Sequence, residues 1–433
     1  MKYYSTNKKV SGETLEAAVI KGLAADGGLF MPETIKTLPR SFYENMENLS
    51  LQEIACRVAE AFFGEDIPSD TLKNIVCDTL NFDIPVVRVK ENIYSLELFH
   101  GPTLAFKDVG ARFMARLSGY FIRKKGAGQV NVLVATSGDT GSAVANGFWG
   151  VDGIRVFVLY PEGKVSEIQE KQFTTLGRNI TAIEVDGTFD DCQALVKSAF
   201  MDGELNEKLK LTSANSINVA RFLPQAFYYF YAYAQIKRLG KADDLVICVP
   251  SGNFGNLTAG LFAKRMGLPV KRFIAANNRN DIFLQYLKTG KYMPRPSIAT
   301  IANAMDVGNP SNFARILDLY GGSHSAISAE ISGKAYTDDQ IRETIGTVYK
   351  ETKYVLDPHG ACAYRALCEE LLPGESGVFL ETAHPAKFRH TVEEVIGEEV
   401  KVPERLAAFM KGEKQSVPMS KDFQAFKSYL MSL

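Results

Sequence analysis

A lysine set in an apolar stretch is a candidate nucleophile. In His100-Gly101-Pro102-Thr103-Leu104-Ala105-Phe106-Lys107-Asp108, Lys107 follows Leu104, Ala105 and Phe106, and Val109 comes soon after, so its stem is expected to enter an apolar site. Burial disfavours the ammonium, which lowers the pKa and makes the amine a nucleophile toward aldehydes and a usable general base. The competing reading is a lysine that snorkels from a buried helix start. Two glycine-containing turns add a second kind of chemistry. Ala135-Thr136-Ser137-Gly138-Asp139-Thr140-Gly141-Ser142 and Pro250-Ser251-Gly252-Asn253-Phe254-Gly255-Asn256 each follow an apolar run of strand length and open a helical one. Glycine lets backbone N–H groups approach an anion closely, and a helix N-terminus adds partial positive charge, so each turn is a candidate phosphate or carboxylate cradle. Read blandly, both are tight strand-to-helix connections, and neither matches GxGxxG or GxxxxGK[ST], which weakens a dinucleotide or P-loop reading.

Other chemistries find less support. The histidines, His100, His324, His359, His384 and His390, form no HExxH and no tight spacing with carboxylates, so no metal site is expected, and His384 reads as a packed structural residue. Cys56, Cys77, Cys192, Cys248, Cys362 and Cys368 are scattered singly and read as reduced and structural. Lys and Arg number 49 against 50 Asp and Glu, a net charge of -1, so no global field would hold the chain on nucleic acid or an anionic membrane. Any phosphate must therefore meet a local site. No signal-peptide-like start and no uncharged apolar run near ~20 residues is present, and a cytoplasmic protein is expected.

The elements that must position these residues follow from periodicity. With 433 residues, two or more domains are expected, because single cores stop growing at roughly 250 to 300 residues. The first part, with Ser11 as a candidate N-cap before ETLEAAVIKGLA and mixed helical sequence to about Phe82, lacks a strand-then-helix rhythm and reads as a cap. From IPVVRVK onward apolar runs alternate with helical segments. Strands are expected at 130–135, 154–160, 180–185, 245–249 and 270–275, and helices from Ser142, from Val165, after Thr188 and from Leu257. Continuous Val/Ile/Leu runs between helices indicate parallel strands buried on both faces, hence an α/β fold with ligands at the carboxyl ends of strands.

Taken together, the motifs resemble those of the threonine synthase family, within the fold-type-II pyridoxal-phosphate enzymes. HGPTLAFKD is similar to the family's Schiff-base lysine segment, TSGDTGSA to its substrate loop, SGNFGN to its cofactor phosphate loop and ETAHPAKF to its C-terminal cofactor segment. GLAADGGLFMPE, TSANSINVARFLPQ and NAMDVGNPSNFAR resemble stretches typical of threonine synthases, and the resemblance runs from about Tyr3 to Phe388.

The resemblance implies a tryptophan-synthase-β-like α/β fold. The expected segments are an N-terminal cap at 1–90, a large cofactor-binding domain from 91–115 and 206–433, and a smaller domain at 116–205 carrying the SGDTG loop. It implies pyridoxal phosphate bound through Lys107, with Ser251, Gly252, Asn253, Phe254, Gly255 and Asn256 around its phosphate and the Thr382 hydroxyl facing its pyridine nitrogen. Ser137, Thr140 and Gly141, with Ser216, Asn218 and Arg221, would hold the substrate's anionic groups. Asp139, counted with the cofactor contacts, stands where many relatives carry asparagine beside the cofactor's phenolic oxygen, and an ionised acid there cannot donate. The implied activity is that of a carbon–oxygen lyase acting on phosphate, converting O-phospho-L-homoserine and water to L-threonine and phosphate. A phospholyase or dehydratase giving 2-oxobutyrate, and a non-catalytic anion-binding protein on the same fold, are the alternatives. Monomer and dimer are both open.

Overall fold

A computed structural model of the chain describes residues 1–125 and 128–433. The chain opens with β1 (Lys2–Ser5), β2 (Glu13–Thr14) and β3 (Phe30–Pro32), which form a small sheet in the order β2-β1-β3. The first part is therefore not only helical. Its first helix, Leu15–Lys21, is capped by Thr14, whose hydroxyl accepts from the Ala17 N–H, and not by Ser11. Ser11 lies three residues too early to reach those N–H groups.

Strands β4 (Val86–Lys90) and β5 (Ile93–Glu97) form an antiparallel pair. Then follow β6 (Val130–Ala135), β7 (Ile154–Pro161), β8 (Ile180–Asp186), β9 (Leu211–Ser213), β10 (Leu245–Pro250), β11 (Arg272–Asn277), β12 (Ile331–Ala335), β13 (Ser376–Glu381) and β14 (Val417–Ser420). Every residue of β6, β10 and β13 is buried, as a parallel strand covered on both faces requires. The expected strands are present with shifts of two residues or fewer. Two helices start earlier than expected, at Asp139 and Gly255, because the turn residues themselves form the first helical turn.

The described residues divide into two compact units. One comprises Met1, Pro32–Phe106 and Phe222–Lys401; the other comprises Lys2–Met31, Lys107–Arg221 and Val402–Leu433. Mapped onto these units, the segment 116–205 lies wholly in the second, while 1–90 is shared between them, dividing after Met31.

The first unit holds the six-stranded sheet β12-β11-β10-β13-β5-β4, parallel apart from the β4–β5 pair. From β10 the chain steps outward to β11 and β12 and returns as β13 on the other side of β10, so the order reverses between β10 and β13. The second unit holds the parallel sheet β14-β8-β7-β6-β9. There the chain runs outward from β6 to β7 and β8 and returns as β9 on the other side of β6. Each sheet thus has one reversal point, where diverging loops leave a crevice at the carboxyl ends of the strands.

Candidate active site

In the first unit, the turn after β10 and the end of β13 flank the reversal point. Cys248 is level with Phe379, so continuing the parallel register places Ser251 level with Thr382. The turn is held from outside. Ser251 donates its N–H to Ala276 O at 2.8 Å and its hydroxyl to Val249 O at 2.9 Å, and its carbonyl accepts from Asn277 Nδ2 at 2.8 Å. Ser251 is thus committed to the shape of the loop. The Asn253 carbonyl accepts from the Asn312 N–H at 3.1 Å, and its side-chain oxygen from the N–H and hydroxyl of Ser311. Ser311 and Asn312 belong to NAMDVGNPSNFAR, a stretch whose order was legible but whose role was not.

What these contacts leave open is the row of donors. Among the described residues no protein acceptor takes the N–H groups of Gly252, Asn253 and Phe254, and Gly255 and Asn256 are the first residues of the helix Gly255–Arg265, whose N–H groups have no intrahelical partner. Phe254, at φ 62, sits in the left-handed region, which turns successive N–H groups to one side. The Asn256 amide nitrogen is buried without a hydrogen-bond partner, while its oxygen accepts from the Tyr229 hydroxyl at 2.7 Å. A Cβ at Gly252 would lie 2.7 Å from Ala304 O, so only glycine fits this wall. An unfilled row of N–H donors, a buried amide aimed without a partner and the positive end of a helix fit a phosphate dianion. Tyr229 lies in the buried helix Ala226–Arg238, and nothing in its aromatic run marks which hydroxyl will bond to Asn256.

Thr382 is 6 % exposed and its carbonyl accepts from the Phe106 N–H at 2.9 Å, while Ala105 bridges to Ala383. The loop 98–106 therefore returns to the end of β13, with the Tyr228 hydroxyl donating to the Phe106 carbonyl and Lys387 Nζ donating to Thr103 O at 2.9 Å. Leu104 within it stands at φ 56. Beside Thr382, the Glu381 carboxyl is fully buried, and desolvation, helped by the charge of Asp357, raises its pKa well above the usual carboxylate range. His384 is held neutral, its pKa lowered to about 4 by burial and then by the nearby charges of His100 and Lys387; its Nδ1 accepts from the Ala386 N–H. That matches a packed structural histidine.

In the second unit, Lys107 is half-buried and opens the helix Lys107–Lys125. A Cβ at Gly110, in the first turn of that helix, would lie 2.4 Å from the Arg221 carbonyl oxygen, and one at Gly147 3.0 Å from the Ala111 carbonyl carbon. Glycines thus bring the lysine's helix against both Arg221 and the helix Asp139–Phe148. Arg221 is 2 % exposed, and its guanidinium donates to Ala214 O.

The loops after β6 and β9 are joined by Asn215 Nδ2, which donates to Ala135 O at 3.1 Å. Ser137 and Ser216 on these loops, and Thr140 in the first turn of the helix Asp139–Phe148, are partly exposed. The SGDTG turn is closed in a way that SGNFGN is not: Thr136 Oγ1 accepts from Gly138 N–H at 2.9 Å and from Gly141 N–H at 2.8 Å. Gly141 therefore offers no free N–H. Its need for glycine is steric, since a Cβ would lie 2.6 Å from Thr136 Cγ2. Asp139 accepts from Gln169 Nε2 at 2.8 Å. Asn218 donates to Val19 O and Ser213 O and accepts from Ala220 N–H, so its amide is used in pinning the helix Leu15–Lys21 to the loop.

Residues 83–382 match the model of the pyridoxal-phosphate dependent enzyme family, residues 2–80 the threonine synthase N terminus and residues 359–430 the threonine synthase C-terminal model. The chain is 44 % identical to threonine synthase of Haemophilus influenzae over 431 residues, covering 100 % of both chains. Among solved structures, it is similar to the crystal structure of threonine synthase from Escherichia coli, with a TM-score of 0.93 and 43 % identity over 100 % of each chain. It is also similar to a PLP-bound threonine synthase from Brucella melitensis, with a TM-score of 0.92 and 35 % identity over 100 % of this chain and 99 % of that one.

Proposed function

The chain belongs to the threonine synthase family of pyridoxal-phosphate-dependent enzymes, and on that premise we propose that it converts O-phospho-L-homoserine and water to L-threonine and phosphate, the last step of threonine biosynthesis. Bound pyridoxal phosphate supplies the electron sink that acidifies the protons on the substrate's Cα and Cβ. The N–H groups of Gly252 to Asn256, with the Asn256 amide, would hold the cofactor phosphate. The Thr382 hydroxyl would face the ring nitrogen and, being neutral, would not enforce its protonation. Lys107 would be the residue that anchors the cofactor's aldehyde end, and its Nζ, once free, would take the proton from the substrate's Cα. Proton transfer at Cβ lets the γ-phosphate leave, water adds at Cβ, and returning protons complete threonine.

A dianionic leaving group needs cationic and hydroxyl donors at fixed positions. Arg221, Ser216, Ser137 and Thr140 are the residues assigned to it. Gly141, Asn218 and Asp139 shape the loops that present them, and the 116–205 stretch serves as the substrate-side lobe. A cytoplasmic location belongs to the same proposal.

The observation that carries this reading is the open row of N–H donors at the reversal point of the first sheet, in a chain that resembles threonine synthases from end to end. The test is product analysis with O-phospho-L-homoserine and the reconstituted protein. Threonine and phosphate in equal amounts are expected. Accumulation of 2-oxobutyrate would assign a lyase or dehydratase instead, and binding without turnover a non-catalytic protein.

A further inference from the structure

The phosphate loop of the first unit rests on a second layer whose last member is a buried histidine. Asp357 stands two residues before His359, a tight carboxylate spacing contrary to the sequence expectation; it caps the helix Pro358–Glu370, and its Oδ1 accepts both from the His359 backbone N–H at 2.7 Å and from His359 Nδ1 at 2.5 Å. The Asp357 N–H is itself fixed by Glu381 Oε1 at 2.6 Å, one residue before Thr382. With the ring hydrogen on Nδ1, directed at the carboxylate, Nε2 is left as an acceptor, and it takes the Ala304 N–H at 3.1 Å. A backbone N–H only donates, so this network selects the neutral Nδ1–H tautomer. The ring is 2 % exposed and braced edge-on by Phe388, at 5.0 Å between centroids.

Ala304 then meets the cradle. Its carbonyl oxygen lies 2.7 Å from where a Cβ of Gly252 would stand, and Met305 Cα lies 3.1 Å from the same point. The short turn Asn303–Met305 is therefore the floor beneath the first open N–H of the loop, with no slack between them.

We infer that His359 is a positioning residue for the phosphate end of the cofactor, holding Ala304 against Gly252 so that the loop's N–H groups stay aimed. This rests on the reading of Gly252–Asn256 as the cofactor phosphate loop. It goes beyond that reading by assigning a residue outside the loop, whose ring nitrogens bond to Asp357 and Ala304.

The test titrates the apoprotein with pyridoxal phosphate and, separately, with pyridoxal, which lacks the phosphate. His359→Ala is expected to weaken pyridoxal phosphate by about tenfold or more, the usual scale for a supporting partner behind a ligand shell, and to leave pyridoxal unchanged. The 31P resonance of the bound cofactor should shift. His359→Gln, which offers an amide oxygen to the Ala304 N–H, should recover most of the loss. If His359→Ala does not fold, His359→Leu, which keeps much of the ring's volume but offers no acceptor to the Ala304 N–H, should give the same phosphate-selective loss. Equal weakening of both vitamers, or no weakening of either, overturns the inference. Failure of the unaltered protein to take up pyridoxal phosphate overturns the underlying reading instead.

Discussion

Lys107 gains its role from its neighbours. Leu104, Ala105 and Val109 are buried around it in sequence, and the preceding residue, Phe106, is tied to the carbonyl of Thr382. Lys107→Ala should abolish near-visible absorbance and turnover together, checked by spectrum and threonine assay; turnover in a colourless variant would remove the proposed chemistry. Arg221→Ala should raise KM for O-phospho-L-homoserine while leaving the cofactor absorbance in place, and equal loss of cofactor would mean the residue serves the fold alone. His384 offers a pH test. Its pKa is lowered from 6.5 to about 4, so between those values the unfolded chain binds a proton that the folded chain refuses. Stability contributed there is present above about pH 6.5 and is lost as pH falls toward 4. Protonation would also take away the acceptor that Nδ1 offers to the Ala386 N–H. His384→Asn, with an oxygen for that N–H and no titration, should lose less stability than the parent protein between pH 7.5 and 5 in urea unfolding; equal losses would mean other groups govern that range.

At the scale of elements, the two glycine turns looked alike in sequence and differ in structure by one hydroxyl. Thr136 fills the donors of Gly138 and Gly141, whereas the donors from Gly252 to Asn256 stay open. Thr136 is fully buried, so Thr136→Val leaves two buried N–H groups unpaired in an almost unchanged volume. A loss of about 1–3 kcal/mol is expected in urea unfolding, restored by Thr136→Ser, with cofactor affinity little changed. A neutral outcome would mean that water or another acceptor reaches those groups. Strand β10 was legible because burial on both faces writes a continuous apolar run, and β6 because its run is interrupted only by Asn131. The starts at Asp139 and Gly255 were not, since a glycine turn and a first helical turn share the same residues. The full commitment of Ser251 and Asn218 to internal hydrogen bonds was invisible too, because beside local partners each has one, Ala276 or Val19, that lies 25 or more residues away in sequence.

For the whole molecule, the same distance effect decides where the chain's ends belong. Residues 402–433 return to the second unit, where Val417 of β14 pairs with Ile183 of β8 and the helix Phe423–Met431 buries Phe426 and Leu430 in one core with Leu159, Ile183 and Leu205. No local pattern announces this, because a short strand such as VPMS has no apolar run and acquires its identity only from β8. Residues 2–31 likewise count with the second unit, through Asn218 and the helix Leu15–Lys21. The sheet carrying the SGDTG turn is thus completed by residues more than 200 positions downstream of it. Phe426→Ala should cost about 3–5 kcal/mol, the usual range for an aromatic removed from a packed core. Because that core belongs to the second unit, amide exchange in β6, β7 and β8 should accelerate first, while β10, β11 and β13 keep their protection. Uniform acceleration across both sheets would mean that the two units open as one cooperative body.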